Sequence, residues 1–285
     1  DNYMASGSSV IKEDAEVVED SAEVATDDDR FTEDREDIFM RYLTSRKVAL
    51  CACAKCGSTS LWQYIYQLEF GQEWPYVDKP WVHELISPRW DDKFQMIKDR
   101  SIQEQVMANE YSFALVRDPK ERLVSSWKSK YACGFGYHTD FASRKAYVKN
   151  LLDLADDQQD PRPECLELED YVQALTTVHE LNRTRFLNRH VLPQHMACFQ
   201  DFPPSQWSKV TVISEASAFA GLAERLGTSI ETPPRDHAST AQVRIGAKTA
   251  MLLDRITHEE YLMISPYLSR PSAVLEGNAV FLRDY

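Results

Sequence analysis

The sequence predicts an α/β domain in which a parallel sheet is covered by helices on both faces. Two short apolar runs, residues 48–54 and 113–116, are each followed by a turn and then by a stretch with helical periodicity. A third apolar run, residues 210–213, also precedes a helical stretch. Strands that alternate with helices in this way are typical of a parallel sheet.

The first strand–helix unit is predicted over residues 48–70. Residues 48–54 have the length and continuous apolar character of a strand buried on both faces. A tight turn at Gly57 follows, and residues 58–70 carry apolar side chains at three- and four-residue steps, as an amphipathic helix does. Ser58 or Thr59 is the predicted N-cap of this helix.

The second unit repeats the arrangement. Residues 113–116 are the predicted strand, and residues 120–132 are the predicted helix. Asp118 is well placed as the N-cap between them. Pro119 suits the first helical turn, where its missing N–H costs no hydrogen bond.

Further elements fill the rest of the chain. The third strand, residues 210–213, leads to a predicted helix over residues 216–226 that Gly227 closes. Additional helices are predicted over residues 91–107, 140–154 and 166–181, and over most of the last 40 residues.

Charge divides the chain into two parts. The 285 residues are 43% hydrophobic, enough for a large core, and carry a net charge of -13. Residues 1–37 hold 14 acidic and three basic side chains, which leaves a balance of -2 for residues 38–285. We predict that residues 1–37 form a disordered acidic tail and that residues 38–285 form the domain. Without a basic excess, nucleic-acid binding is disfavoured.

Membrane and targeting signals are weak. No run of about 18 apolar residues is present, so we expect no membrane contact within this chain. No signal-peptide pattern opens it. The chain begins at Asp1 rather than Met, which is compatible with the loss of an upstream membrane anchor.

Six cysteines occur, at positions 51, 53, 56, 133, 165 and 198. We interpret Cys51, Cys53 and Cys56 as small buried thiols on the first strand and in the turn after it. Their spacing is also that of a partial zinc site, but a fourth Cys or His nearby is missing. We therefore predict no metal site. The other three cysteines can pair if the chain enters an oxidising compartment.

The turn after the first strand has the composition of an anion site. The unpaired N–H groups and positive end of the following helix attract a phosphate, and Gly57 lets the backbone approach it. Lys55 adds a positive charge. The predicted cofactor-binding residues of this loop are Lys55, Cys56, Gly57, Ser58, Thr59 and Ser60. The order of Lys before Gly differs from the nucleotide-triphosphate pattern G-x-x-x-x-G-K-[ST].

The turn after the second strand offers a second anion site. Arg117 leaves the carboxyl end of the strand, which is where ligands of open α/β sheets bind. Ser125 follows eight residues later, about two turns into the next helix. Arg117 can hold a phosphate through two hydrogen bonds, and Ser125 can donate one more. A purely structural ion pair of Arg117 with a nearby acid is the alternative.

These two segments resemble the nucleotide motifs of sulfotransferases that use 3′-phosphoadenosine 5′-phosphosulfate (PAPS). Residues 55–60 resemble the 5′-phosphosulfate loop, and residues 117–125 resemble the 3′-phosphate motif. The similarity is strongest to Golgi carbohydrate sulfotransferases of the chondroitin/dermatan and HNK-1 type, which share a segment like residues 190–198. The resemblance implies a P-loop-like three-layer domain with about five parallel strands. It also implies PAPS as donor and residence in the Golgi lumen, with the cytoplasm as the alternative. We expect no metal, because a sulfuryl group carries less negative charge than a phosphoryl group.

The acceptor must lose a proton during transfer, so a base is expected to face the sulfur. In similar enzymes this base is a His or Glu between the two nucleotide motifs, where His83 and Glu84 lie. His83 is the first choice because the unperturbed pKa of histidine is near neutrality. Glu84 is the second, and His190 and His195 are further alternatives. His190 is otherwise predicted to line the acceptor cleft.

The predicted activity is in-line transfer of a sulfuryl group to a hydroxyl or amine of a carbohydrate or small molecule. Lys55 is expected to stabilise the leaving phosphate, as an oxyanion hole does. Two alternatives stay open. The first is a P-loop-type small-molecule kinase, which the missing G-K-[ST] order disfavours. The second is an inactive nucleotide- or glycan-binding module of the same fold.

Overall fold

The computed structural model describes residues 40–74, 93–97, 99–133, 141–157, 161–214, 217–228, 243–268, 273–276 and 279–282. The acidic segment 1–37 lies outside these ranges, so its predicted disorder stays a prediction. Among the helices that the structure describes, none is both long and apolar enough to cross a membrane.

A five-stranded sheet forms the centre of the fold. Its strands are β1 (Met40–Leu43), β2 (Val48–Ala52), β3 (Phe94–Met96), β4 (Tyr111–Val116) and β5 (Lys209–Val212). The order across the sheet is β3-β1-β2-β4-β5. β2, β4 and β5 pair in parallel, whereas β1 is antiparallel to β2 and β3. Four strands thus share one direction, which confirms the predicted α/β class with a largely parallel sheet.

Eight α-helices lie within the described ranges. They are α1 (Ser58–Phe70), α2 (Arg100–Asn109), α3 (Pro119–Ser126), α4 (Phe141–Leu154), α5 (Leu168–Glu180), α6 (Gln194–Cys198), α7 (Ala220–Leu226) and α8 (Ala247–Ile264). A π-helical turn, Trp127–Tyr131, continues α3, and short 3₁₀ turns occupy Thr184–Phe186, Pro204–Gln206 and Ser265–Tyr267.

The sheet buries both faces because successive side chains of each strand point to opposite sides. Leu50 and Leu115 pack with apolar residues of α1 and α7 in one core cluster. Cys51 and Val116 belong to a second cluster, which includes residues of α2, α6 and α8. Helices therefore cover both sides of the sheet, in agreement with the predicted three layers.

Residues 91–107 do not form the single predicted helix. Phe94–Met96 is the strand β3, which pairs with β1 at the edge of the sheet. The helix α2 begins only at Arg100, because the Asp99 side chain accepts hydrogen bonds from the N–H groups of Ser101 and Ile102. The strand β1, which lies between β3 and β2, was not predicted either, and its pairing explains why residues 94–96 are extended.

The last 40 residues are helical only in their first half. α8 ends at Ile264, and a second sheet of antiparallel strands follows the order β6-β8-β7. Its strands are β6 (Val243–Ile245), β7 (Ala273–Glu276) and β8 (Ala279–Leu282). The predicted helix is therefore wrong for β7 and β8. Valine and phenylalanine favour strands, and a Gly-Asn pair, typical of tight hairpin turns, separates the two segments in the sequence.

Candidate active site

The loop between β2 and α1 has the geometry of an anion site. Gly57 is the N-cap of α1, with φ 81° and ψ 20°, and it has no side chain with which to cap the first turn of the helix. The prediction that Ser58 or Thr59 is the N-cap is therefore wrong, because the left-handed turn at Gly57 places Ser58 inside the helix. Uncapped N–H groups at a helix start are free to bind an anion.

Two features make glycine necessary at position 57. Its φ lies in the left-handed region, which other residues adopt only at a cost. A Cβ atom at this position would also lie 2.7 Å from side-chain atoms of Ile213, which follows β5. The loop therefore packs closely against Ile213, at the carboxyl end of β5. Lys55 also has a positive φ, 66°, so two of the three residues from Lys55 to Gly57 have a left-handed backbone conformation.

All six cysteines form disulfides, which corrects the interpretation of Cys51, Cys53 and Cys56 as buried thiols. Cys53 and Cys56 pair across the loop that contains Lys55. Cys51 pairs with Cys198, which is 147 residues away and joins β2 to α6. The third bridge is Cys133–Cys165. A sulfur atom in a disulfide is no longer a thiolate, so the bridges also displace the zinc alternative for these residues. Within the described ranges no group of His, Cys, Asp or Glu is arranged to hold a metal ion.

The second motif forms the predicted strand–turn–helix. β4 ends at Val116, and the Asp118 side chain accepts hydrogen bonds from the N–H groups of Lys120 and Glu121 at the start of α3. Asp118 is therefore the N-cap, as predicted. Tyr261 of α8 donates a hydrogen bond to the other carboxylate oxygen of Asp118 at 2.6 Å. Ser125 lies in the last turn of α3 and is half-buried.

The structure brings the two motifs together at the carboxyl edge of the parallel strands. Nη1 of Arg117 donates a hydrogen bond to the carbonyl oxygen of Lys55 at 3.3 Å. Nε of the same side chain is 3.9 Å from a carboxylate oxygen of Glu121, which is itself buried. Arg117 is only 6% exposed. Its guanidinium therefore lies between residues 55–60, the loop that we call the phosphate loop after its predicted ligand, and the first turn of α3.

The segment 190–198 packs beneath this junction. Its Gln194 is fully buried and hydrogen-bonds the backbone of Arg117, which residue composition alone did not indicate. His190 is half-buried, its carbonyl oxygen accepts a hydrogen bond from Arg122, and its ring meets Tyr147 edge-on with 5.5 Å between centroids. Its predicted contact with the acceptor stays a prediction.

His195 is the other histidine of this segment. Burial lowers its pKa, although the nearby carboxylates of Glu260 and Glu259 oppose the shift. Its Nε2 atom is 4.0 Å from the carboxylate of Glu259. The lowered pKa favours the neutral ring, which is the form that a base requires.

His83 and Glu84, the first two candidates for the base, lie outside the described residues. Their assignment rests on their place in the sequence, between the loop of Lys55 and the motif of Arg117. The catalytic base thus stays a prediction.

Comparison with known proteins gives one match. The model of the Sulfotransferase family matches residues 40–242, which include the segments 55–60, 117–125 and 190–198. No curated protein and no solved structure matches the chain.

Proposed function

Because this chain belongs to the sulfotransferase family, we propose that it transfers the sulfuryl group of PAPS to a hydroxyl or amine of a carbohydrate or small-molecule acceptor. The family match supports sulfuryl transfer in general. The donor, the acceptor class and the roles of single residues are the proposal.

One observation carries the proposed donor. The hydrogen bond from Arg117 to the Lys55 carbonyl joins the two nucleotide motifs at a single edge of the sheet. A ligand with phosphates at both ends of one nucleoside fits such a pair of anion sites. ATP, by contrast, carries all its phosphates on the 5′ side and needs a single longer phosphate loop.

In the proposed complex, the loop of residues 55–60 binds the 5′-phosphosulfate. Its uncapped helix start supplies backbone N–H groups, and Ser58, Thr59 and Ser60 supply hydroxyls. Arg117 and Ser125 bind the 3′-phosphate. Arg117 contacts the Lys55 carbonyl and lies beside Glu121, and a phosphate offers its guanidinium a stronger, two-point acceptor.

The transfer itself is an in-line displacement at sulfur. The bond between sulfur and the oxygen of the 5′-phosphate breaks while a new bond forms to the acceptor oxygen or nitrogen. Lys55 and the loop N–H groups stabilise the negative charge that grows on the departing phosphate. His83, or Glu84 in its place, takes the acceptor proton. The product 3′-phosphoadenosine 5′-phosphate (PAP) then leaves.

We further propose that the protein works in the Golgi lumen on a carbohydrate acceptor. The resemblance to Golgi carbohydrate sulfotransferases motivates this assignment. Three disulfides support it, because such bonds persist in oxidising compartments and are rare in the cytosol.

A thermal-shift panel of PAP, 5′-AMP, ATP and ATP with Mg²⁺ tests the proposed donor. PAP at 100 times its Kd should add about 2.7 kcal/mol to the free energy of unfolding. AMP at the same concentration should stabilise the protein much less, and Mg²⁺ should not change the stabilisation by ATP. Stronger stabilisation by ATP with Mg²⁺ than by PAP would favour the kinase alternative. PAP binding without ³⁵S transfer from labelled PAPS to any acceptor would favour the inactive module.

A further inference from the structure

Among the strands that the structure describes, none pairs with the backbone of Arg117 on the side of β2. β2 pairs with β4 only as far as Ala52 and Leu115, after which the chain turns away into the disulfide-linked loop. On the opposite side, the N–H of Ile213 donates to the carbonyl of Val116, so β5 still continues the sheet there. The N–H and C=O of Arg117 therefore require other partners, since buried backbone groups seldom stay unpaired.

Gln194 supplies both missing partners with one side chain. Its Oε1 accepts a hydrogen bond from the N–H of Arg117 at 2.9 Å, and its Nε2 donates to the C=O of Arg117 at 2.8 Å. The amide thus replaces one residue of the absent strand. Sγ of Cys56 lies 3.1 Å from the same Oε1, so Gln194 also touches the phosphate loop.

Glu260 of α8 fixes the orientation of this amide. Its Oε2 accepts hydrogen bonds from the backbone N–H of Gln194 at 2.9 Å and from Nε2 at 3.0 Å. Its Oε1 accepts one from Nη2 of Arg122 at 3.3 Å. Since Nε2 donates to both Glu260 and Arg117, the amide cannot flip without placing its oxygen against the carboxylate.

We propose that Gln194, oriented by Glu260, is a positioning residue that sets the Arg117 guanidinium for recognition of the donor's 3′-phosphate. The inference rests on the proposed function and deepens it. Gln194 does not touch the ligand in this proposal. It fixes the backbone from which the phosphate-binding side chain projects.

Burial and placement support a positioning role. Gln194 and Arg122 are fully buried and Glu260 is 2% exposed. Solvent therefore does not weaken the hydrogen bonds that Glu260 makes to Arg122 and Gln194. α8 also holds the motif through Tyr261 at Asp118. This helix lies beyond the residues that the family model matches, 40–242, so part of the support for the nucleotide motif comes from outside the matched region.

Binding of PAP and 5′-AMP to Gln194→Met tests the inference. Methionine has a similar length but offers neither the donor nor the acceptor that the Arg117 backbone needs. Loss of the two hydrogen bonds should weaken PAP binding roughly tenfold. AMP, which lacks the 3′-phosphate, should keep its affinity within about twofold. Gln173→Met makes the same chemical change at an exposed position of α5 and should alter neither affinity.

The ratio of the two affinities separates a positioning role from a structural one. A variant with lower thermal stability but an unchanged PAP-to-AMP ratio would overturn the inference, because a general loss of packing affects both ligands alike. If Gln194→Met does not fold, Gln194→Asn keeps the polar group but cannot reach both backbone atoms, and the same loss of ratio is expected. A wild-type protein that does not prefer PAP to AMP would instead overturn the proposed donor itself.

Discussion

Arg117 links the phosphate loop to the first turn of α3 through its contacts with Lys55 and Glu121. In the proposed complex it also distinguishes PAP from AMP. Arg117→Ala should therefore cost about 2–3 kcal/mol of PAP binding, the size of a charge-assisted pair of hydrogen bonds. Isothermal titration should show a roughly 30- to 150-fold weaker Kd for PAP and little change for AMP.

Arg255→Ala is the matched control for this substitution. Arg255 is 57% exposed and pairs with Glu180 on the surface, so the variant loses an equal charge away from both motifs. Its affinity for PAP should equal that of the wild type. An equal loss of PAP and AMP binding in Arg117→Ala would show that Arg117 only holds the loop in place.

His83 and Glu84 give the second prediction at this scale. His83→Ala should leave PAP affinity nearly intact and slow single-turnover sulfuryl transfer by about 10²–10⁴-fold, the usual contribution of a general base. Lys55→Ala should also slow turnover strongly, because the leaving phosphate loses its positive partner. Rapid-quench measurement of ³⁵S transfer reads both effects.

Glu84→Gln serves as the comparison within the same segment. If this segment is a strand, the two neighbouring side chains point to opposite faces and cannot easily serve one acceptor together, whereas a loop or helix would allow it. If Glu84→Gln alone is inactive, Glu84 is the base. If both variants retain full activity, the base is neither of them, and His190 and His195 become the candidates.

Single residues differ in how far the sequence identifies them. Lys55 and Arg117 directly follow two apolar runs that were predicted as parallel strands. Because the carboxyl ends of parallel strands lie at the same edge of a sheet, their proximity could be predicted. Gln194 could be singled out only as part of the segment 190–198, and its role depends on where β2 stops. Glu260 has no local signal, because its partners lie 66 and 138 residues away in the chain.

Among the elements, the loop between β2 and α1 is the most constrained. Gly57→Ala faces both a left-handed φ and a contact of 2.7 Å with Ile213. We expect a loss of about 1–2 kcal/mol from the backbone and about 1–3 kcal/mol from overpacking, together with weaker binding of both PAP and AMP. Urea denaturation and titration of the two nucleotides measure these effects.

Gly71→Ala isolates the contribution of the backbone. Gly71 ends α1 with φ 64°, and a Cβ there has no atom within 4 Å. This variant should lose only the backbone component of about 1–2 kcal/mol and keep its nucleotide affinity. Equal losses of stability and equal affinities in the two variants would contradict the close packing of the phosphate loop.

The sequence predicted an element correctly where its local hydrophobic pattern matches its environment in the fold. β2 and β4 are buried on both faces and appear as continuous apolar runs, so both strand–helix units could be predicted. β1 and β3 are short strands, and the extended form of the edge strand β3 depends on its pairing with β1. Such pairing is tertiary, and a single stretch of sequence does not show it.

At the scale of the whole molecule, the bridge between Cys51 and Cys198 joins segments 147 residues apart. Removing it with Cys51→Ala and Cys198→Ala should lower the free energy of unfolding by about 5 kcal/mol by chain entropy. The matched pair Cys133→Ala and Cys165→Ala opens a 32-residue separation and should cost about 4 kcal/mol. Urea unfolding of both double variants tests this order.

Alkylation of the denatured wild-type protein without reductant provides the control. With every cysteine paired, no thiol should be modified. A modified Cys53 or Cys56 would contradict the bridge across the phosphate loop. The sequence could not establish these pairings, because six cysteines allow 15 connectivities.

The central claim is that both motifs bind the two ends of one PAPS-derived nucleotide, and a crystal structure with PAP tests it most directly. The 5′-phosphate should contact the N–H groups of residues 57–60 and Lys55. The 3′-phosphate should accept hydrogen bonds from Arg117 at about 2.7–2.9 Å and from the Ser125 hydroxyl at about 2.5–2.7 Å, the usual ranges for N–H and O–H donors to an anion. A PAP molecule whose 3′-phosphate lies away from Arg117, or whose 5′-phosphate lies away from the loop, would contradict the account.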